Sequence, residues 1–140
     1  MTPDAHVQVV FKYFDGCNTG DIEEMKATLE DDVAHYFLPK VHPPIYGAEH
    51  LAKYWRKFRQ IYQPTWKIDH AIASGDEVVA EWSCAYTLPS NGDRMMFRGT
   101  EWYLMRNHRI AEVRAYYQYD EGGDCQLNGF PYAERGYLQK

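Results

Sequence analysis

The sequence predicts an α+β fold in which a curved antiparallel sheet and three helices enclose a pocket, in the order α-α-β-α-β-β-β-β. Three consecutive segments, 77–88, 94–106 and 109–119, are rich in Val, Ile, Trp, Tyr and Phe, the residues that favour strands. Each segment has about ten residues or more, and strands of that length twist and curl. Segments with helical periodicity precede them, so we expect helices to cover the concave face.

Two helices are predicted at the start of the chain. Thr2-Pro3-Asp4 supplies the hydroxyl cap, the early proline and the acid that favour a helix start, and Asn18-Thr19-Gly20 ends this helix. Asp21 begins the second helix with Glu24 three residues later, and Glu30-Asp31-Asp32 is predicted to end it. The apolar positions at helical spacing are Val7, Val10, Phe11, Phe14 and Cys17, then Ile22, Met25 and Leu29.

A short strand, a loop and a third helix are predicted next. Residues 33–38 have strand composition, and residues 39–46 are expected to form a loop because helices and interior strands do not tolerate Pro43-Pro44. The third helix begins at Gly47 and ends at Gln63-Pro64. Its apolar stripe consists of Ala48, Leu51, Trp55, Phe58 and Tyr62.

The last four strands are predicted to form an antiparallel meander. Residues 66–73 form its first strand, and residues 74–76 turn the chain into the second. Asn91-Gly92 favours a tight hairpin with positive φ at both central positions, and Asn107-His108 supplies the last turn. Each strand therefore pairs with the one that follows it.

Composition and charge restrict the class of protein. The chain of 140 residues is predicted to form one domain, residues 1–140, with residues 120–140 as a capping tail. The net charge of −5 argues against a nucleic-acid partner and against binding to an anionic membrane. The sequence has no charged-then-apolar leader and no long apolar stretch, and its three cysteines lack CxxC spacing. We therefore expect a cytoplasmic protein with reduced thiols.

The sequence indicates neither a metal site nor a cofactor site. No histidines stand at the HExxH spacing or at another spacing typical of metal ligands. Ser83 lacks a nucleophile-elbow context, and Cys84 has no activating partner visible in the sequence. A glycine-rich phosphate loop is also missing, so we expect no metal and no cofactor.

Both faces of the predicted sheet are largely apolar. Because alternate residues of a strand project to opposite faces, one face would meet the helices and the other would leave an apolar patch larger than monomers usually expose. We therefore expect a homodimer through the outer face. This face carries Trp102, Leu104, Arg114 and Tyr116. The alternative is a single large core that needs both faces.

Four motifs accompany this order of elements: NTGD at 18–21, DDV at 31–33, YGAEHL at 46–51 and WYLMRNHRIAEVR at 102–114. Together they resemble the NTF2-like superfamily, and within it the branch of ketosteroid isomerases and SnoaL-like polyketide cyclases. The likeness covers about residues 5 to 119. It implies a cone of curved sheet around a deep pocket, a fold that hosts isomerases, dehydratases, hydrolases, cyclases and binding modules.

The resemblance also implies roles for single residues. The tyrosine that donates to the oxyanion in ketosteroid isomerases falls on Tyr13. The protonated aspartate that is the second donor falls on Glu101, a carboxylic acid that burial would keep neutral. The aspartate that acts as general base falls on Phe37, which cannot take a proton. His35, two residues earlier on the same strand face, is the nearest replacement because imidazole suits proton transfer at neutral pH.

Each predicted catalytic residue also has a structural interpretation. Tyr13 would be a core aromatic residue whose hydroxyl reaches water, and His35 a hydrogen-bonded core histidine. Glu101 would form an ion pair with Arg98, Arg114 or another arginine. The aromatic residues predicted to line the hollow and bind substrate are Phe37, Trp55, Trp82, Tyr86, Tyr103 and Tyr117.

These residues predict a cofactor-free acid–base enzyme of the isomerase, lyase or cyclase type. Its substrate would be a small, largely apolar carbonyl compound, and an enolate-like intermediate would form. The alternative is a non-catalytic module that binds a hydrophobic molecule or its own tail at Phe130-Pro131-Tyr132. Phe37, in place of the base, favours that alternative.

Overall fold

Three helices pack against one face of a six-stranded sheet in the computed structural model, which describes residues 3–38 and 42–118. The helices are α1 (Pro3–Thr19), α2 (Ile22–Lys26) and α3 (Ala48–Tyr62). The strands are β1 (Leu29–Phe37), β2 (Ile45–Tyr46), β3 (Thr65–Ser74), β4 (Glu77–Thr87), β5 (Arg94–Arg106) and β6 (Arg109–Gln118). The predicted α+β fold is confirmed. The capping tail predicted at residues 120–140 lies outside the described residues.

The sheet is mixed, whereas the sequence predicted only antiparallel pairs. Its strand order is β2-β1-β6-β5-β4-β3. The crossover through α3 carries the chain to the far edge, and three reversals bring β6 back beside β1. There β6 runs parallel to β1, and the remaining pairs are antiparallel.

Two predicted boundaries were wrong. The acidic residues at 30–32 lie within β1 and do not end α2, because the Thr28 hydroxyl donates to the Met25 carbonyl at 2.7 Å and closes that helix earlier. Leu29 is consequently a buried strand residue. The predicted loop at 39–46 contains the short strand β2, whose Ile45 pairs with His35 of β1 and is buried.

Side-chain caps and positive φ angles mark the ends of several helices and strands. The Asp21 side chain accepts a hydrogen bond from the Glu24 amide at 3.0 Å, which is the predicted cap of α2. Both Asn107 and His108 have positive φ, as a tight turn between β5 and β6 requires. In the turn between β4 and β5 Gly92 has positive φ but Asn91 does not, so this hairpin differs from the predicted one, in which both residues would have positive φ.

The two faces of the sheet differ in exposure as the alternation predicts. On β4 the buried residues are Val78, Ala80, Trp82, Cys84 and Tyr86, and they face the helices. On the outer face Trp102, Leu104 and Tyr116 are 37%, 40% and 47% exposed. Within residues 3–38 and 42–118, no helix combines the length and the hydrophobicity that a membrane span requires.

Candidate functional site

The concave face of the sheet and α3 enclose a cavity of about 330 Å³, its mouth included. It is lined by His35, Phe37, Tyr54, Trp55, Phe58, Trp66, Trp82, Phe97, Glu101, Ala115 and Tyr117. Eight of these eleven residues are Phe, Trp or Tyr. Walls of this kind suit an apolar ligand that a few polar groups orient. We call this space the main cavity.

Pairing across the sheet explains why a hollow forms here. Phe37 of β1 pairs with Ala115 of β6, which pairs with Glu101 of β5, which in turn pairs with Ala80 of β4. The small Ala115 side chain leaves space between Phe37 and Glu101 on the concave side. Neighbouring strands lie about 4.8 Å apart, so the Cα atoms of Phe37 and Glu101 are separated by roughly 10 Å.

Glu101 is a buried carboxyl group in the wall of the main cavity. It is 5% exposed, and the Tyr103 hydroxyl donates to its Oε2 at 3.0 Å. Burial raises the pKa of Glu101 to about 8, although the hydrogen bond from Tyr103 opposes this shift. The carboxyl group is therefore mainly protonated at neutral pH and can donate a hydrogen bond.

The arginines considered as partners of Glu101 bind other carboxylates. Arg98 contacts Asp69 at 2.9 Å, and Arg114 contacts Glu112 at 2.6 Å. Both arginines project from the opposite face of the sheet. The described structure thus gives Glu101 a hydroxyl partner rather than either arginine.

His35 brings a neutral imidazole to the same cavity. Its side chain is 1% exposed, and neither Nδ1 nor Nε2 has a hydrogen-bond partner among the described residues. Its ring lies 4.4 Å from that of Phe37 and 5.5 Å from that of Trp55, centroid to centroid. Burial, and then the charge of His42, lower the pKa of His35 to about 3. Buried polar atoms normally have partners, so these two nitrogens are available to a ligand.

Tyr13 faces an adjoining smaller cavity of about 210 Å³, its mouth included. The Trp55 indole donates to the Tyr13 hydroxyl at 2.6 Å, and burial raises the pKa of Tyr13 well above its usual value. Trp55, Trp66 and Glu101 line both cavities and stand between Tyr13 and His35. The sequence analysis predicted that Tyr13, His35 and Glu101 face one hollow. In the structure His35 lines the main cavity, Tyr13 lines the smaller one, and Glu101 lines both.

The predicted aromatic residues divide into two groups. Phe37, Trp55, Trp82 and Tyr117 line the main cavity. The Tyr103 hydroxyl instead donates a hydrogen bond to Glu101, and Tyr86 packs against the rings of Tyr62 and Phe97.

Other lining residues were missed by the sequence analysis: Tyr54, Phe58, Trp66, Phe97 and Ala115. Two signals could have revealed some of them. Phe97 shares the strand parity of Glu101, and Phe58 belongs to the apolar stripe of α3. Within the part of the chain that the structure describes, no three His, Cys, Asp or Glu side chains are placed to hold a metal ion.

Comparisons with known proteins give a family match and structural matches. The SnoaL-like domain family matches residues 10–113. A protein of unknown function with a cystatin-like fold from Methylobium petroleophilum PM1 is 28% identical, with a TM-score of 0.75, over 100% of this chain and 95% of its own. A proposed polyketide cyclase from Xanthomonas campestris pv. campestris is 25% identical over 83% and 92%, with a TM-score of 0.71.

A third structure shows likeness of fold alone. It is a proposed ketosteroid isomerase from Kribbella flavida DSM 17836, 19% identical over 84% of this chain and 81% of its own, with a TM-score of 0.68. No curated protein matches the sequence.

Proposed function

The chain belongs to the SnoaL-like domain family, as its motifs indicated, and on this basis we propose that it is a cofactor-free acid–base enzyme. The reaction would be of the isomerase, lyase or cyclase type on a small, largely apolar carbonyl compound. One observation supports the proposal: a protonated carboxyl group lines the same aromatic cavity as a neutral imidazole that has no hydrogen-bond partner among the described residues.

Glu101 would act on the carbonyl oxygen. A protonated carboxyl group donates one hydrogen bond, and this bond strengthens as negative charge develops on the oxygen of an enolate. The hydroxyl of Tyr103 occupies one carboxyl oxygen and fixes the orientation of the group. The apolar surroundings increase the strength of the interaction because they exclude water.

His35 would move the proton. As a neutral imidazole it can accept the proton of a C–H group next to the carbonyl and return it to another carbon atom. Its low pKa keeps it unprotonated before substrate binds. A developing enolate would favour the imidazolium, because an opposite charge nearby raises the pKa of a histidine.

The proposal is tested by proton exchange on 1-tetralone, a small bicyclic ketone. In D₂O the protein should speed the loss of the proton signal at the carbon beside the carbonyl, followed by NMR. Glu101→Gln should slow this exchange on the order of 10²-fold, and His35→Phe by at least as much.

Glu81→Gln is the matched control, since Glu81 lies on the neighbouring strand with its side chain on the opposite face. It should leave the exchange rate unchanged. Exchange no faster than in buffer, despite saturation with ketone, would refute the enzyme proposal. Phe37, which cannot act as a base, would then favour a module that only binds a hydrophobic molecule.

A further inference from the structure

Trp82 carries a polar group that the proposed chemistry does not use. Its side chain is 2% exposed and lines the main cavity. Its indole Nε1 is buried and has no hydrogen-bond partner among the described residues. A buried N–H without a partner destabilises a protein, so such a group indicates a partner that binds later.

The Trp82 ring is held in place on several sides. It meets Trp66 at 5.1 Å and Phe97 at 5.3 Å between ring centroids, in edge-to-face arrangements. Its Cζ2 atom lies so close to Gly99 that a Cβ atom there would approach it to 2.7 Å. With these neighbours the indole cannot easily turn its N–H toward another protein group. A ligand in the cavity can supply the missing acceptor.

The remaining polar groups of the main cavity define what that ligand is like. Apart from tyrosine hydroxyls, they are His35, Glu101 and the indole N–H groups of Trp55, Trp66 and Trp82, of which that of Trp55 donates to Tyr13. Among the described residues that line the cavity none is Lys or Arg, so none of them would pair as a cation with a carboxylate or phosphate. A neutral molecule fits this cavity.

We propose that Trp82 determines specificity by donating its indole N–H to a second oxygen atom of the substrate, separate from the carbonyl oxygen at Glu101. The substrate is then a neutral, largely apolar ring compound with at least two oxygen functions. This inference rests on the proposed function for the placement of the carbonyl group. The contact of Trp82 with an oxygen can nevertheless be measured without any turnover.

The test uses probes of nearly equal size and the full-length chain. Tetralin has no oxygen, 1-tetralone has one, and 4-, 5-, 6- and 7-hydroxy-1-tetralone place a second oxygen at different ring positions. Binding is followed through the indole N–H signals of the four tryptophans in ¹H–¹⁵N NMR spectra. The signal of Trp102, on the outer face, is the internal control.

At least one hydroxytetralone should bind on the order of 3- to 10-fold more tightly than 1-tetralone, the gain from one neutral hydrogen bond. It should move the Trp82 indole proton downfield, whereas tetralin should not. Trp82→Phe should reduce the affinity ratio of that hydroxytetralone to 1-tetralone to about one. This ratio is informative even if the substitution weakens every probe.

Several results would overturn the inference. They are equal Trp82 shifts for tetralin and every oxygen-bearing probe, an affinity ratio that Trp82→Phe leaves intact, or no binding of any hydroxytetralone at millimolar concentration. Tighter binding of protonated 1,2,3,4-tetrahydroisoquinoline would show a site for cations instead.

The same experiments distinguish the two proposals. If the protein speeds proton exchange of 1-tetralone but the Trp82 signal does not respond to any probe, the enzyme proposal holds and the role of Trp82 is refuted. A Trp82 response without exchange would leave only the binding role.

Discussion

Two neutral titratable residues, His35 and Glu101, share the main cavity, and their pKa values are shifted in opposite directions. The pKa of His35 falls from 6.5 to about 3, and that of Glu101 rises from 4.5 to about 8. The unfolded chain therefore binds a proton at residue 35 below pH 6.5 and releases one from residue 101 above pH 4.5. The free energy of unfolding therefore decreases at both low and high pH.

The pH dependence of unfolding follows with a definite sign. Above pH 6.5 the free energy of unfolding should decrease toward pH 8 by about 1.4 kcal/mol per pH unit, because only the folded state keeps the Glu101 proton. Below pH 4.5 it should decrease toward pH 3, because only the unfolded state protonates His35. Between these limits the two slopes cancel.

Urea unfolding across this pH range measures both slopes. Glu101→Gln should abolish the decrease above pH 6.5 and keep the acidic one, while His35→Phe should do the reverse. If wild type and Glu101→Gln had parallel profiles between pH 6.5 and 8, Glu101 would not be the buried acid described above.

At the level of elements, Gly99 lets strands β4, β5 and β6 approach one another with large aromatic residues between them. Gly99 pairs with Trp82 on one side and Tyr117 on the other. An added Cβ would lie 2.6 Å from the Tyr117 Cβ, so Gly99→Ala should destabilise the protein by about 1–3 kcal/mol through overpacking. Urea unfolding would show this change.

Thr100→Ala is the control for Gly99→Ala. Thr100 is the next residue of β5, and its side chain projects to the outer face. This substitution should cost only a few tenths of a kcal/mol. Equal stability of the two variants would mean that the sheet relaxes at Gly99 and that the Trp82 ring is not clamped there.

For the molecule as a whole, we propose that a second copy covers the outer face of the sheet. Trp102, Leu104 and Tyr116 are partly exposed there, and the Arg114 guanidinium stacks over Trp102 at 5.8 Å while pairing with Glu112. A two-fold axis would place this mixed aromatic and charged face against itself.

Trp102→Glu should convert that dimer to monomers, because it would bury an unpaired charge at the centre of the interface. Sedimentation velocity at tens of micromolar distinguishes the two states. Ile61→Glu is the control, since Ile61 is also exposed, at 45%, but lies on α3. A wild-type protein that sediments as a monomer would contradict the proposal.

The sequence by itself determined the helices, most strands and the side-chain faces, because these depend on local chemistry. The Asp21 cap needs only the backbone three residues later, and strand alternation separates Trp82 from Ser83 and Glu101 from Trp102 without knowledge of their neighbours. Buried Met25 on α2 and Trp55 on α3 likewise follow from helical spacing.

Only the tertiary structure decided how these faces meet. The parallel pairing of β6 with β1 places Phe37 beside Ala115 and two strands away from Glu101, an arrangement of residues far apart in sequence that no local pattern encodes. The hydrogen bond from Trp55 to Tyr13 arises from the packing of α3 against α1. Whether a buried polar atom has a partner depends on every element around it, so only the folded chain reveals which cavity nitrogens lack a partner within residues 3–38 and 42–118.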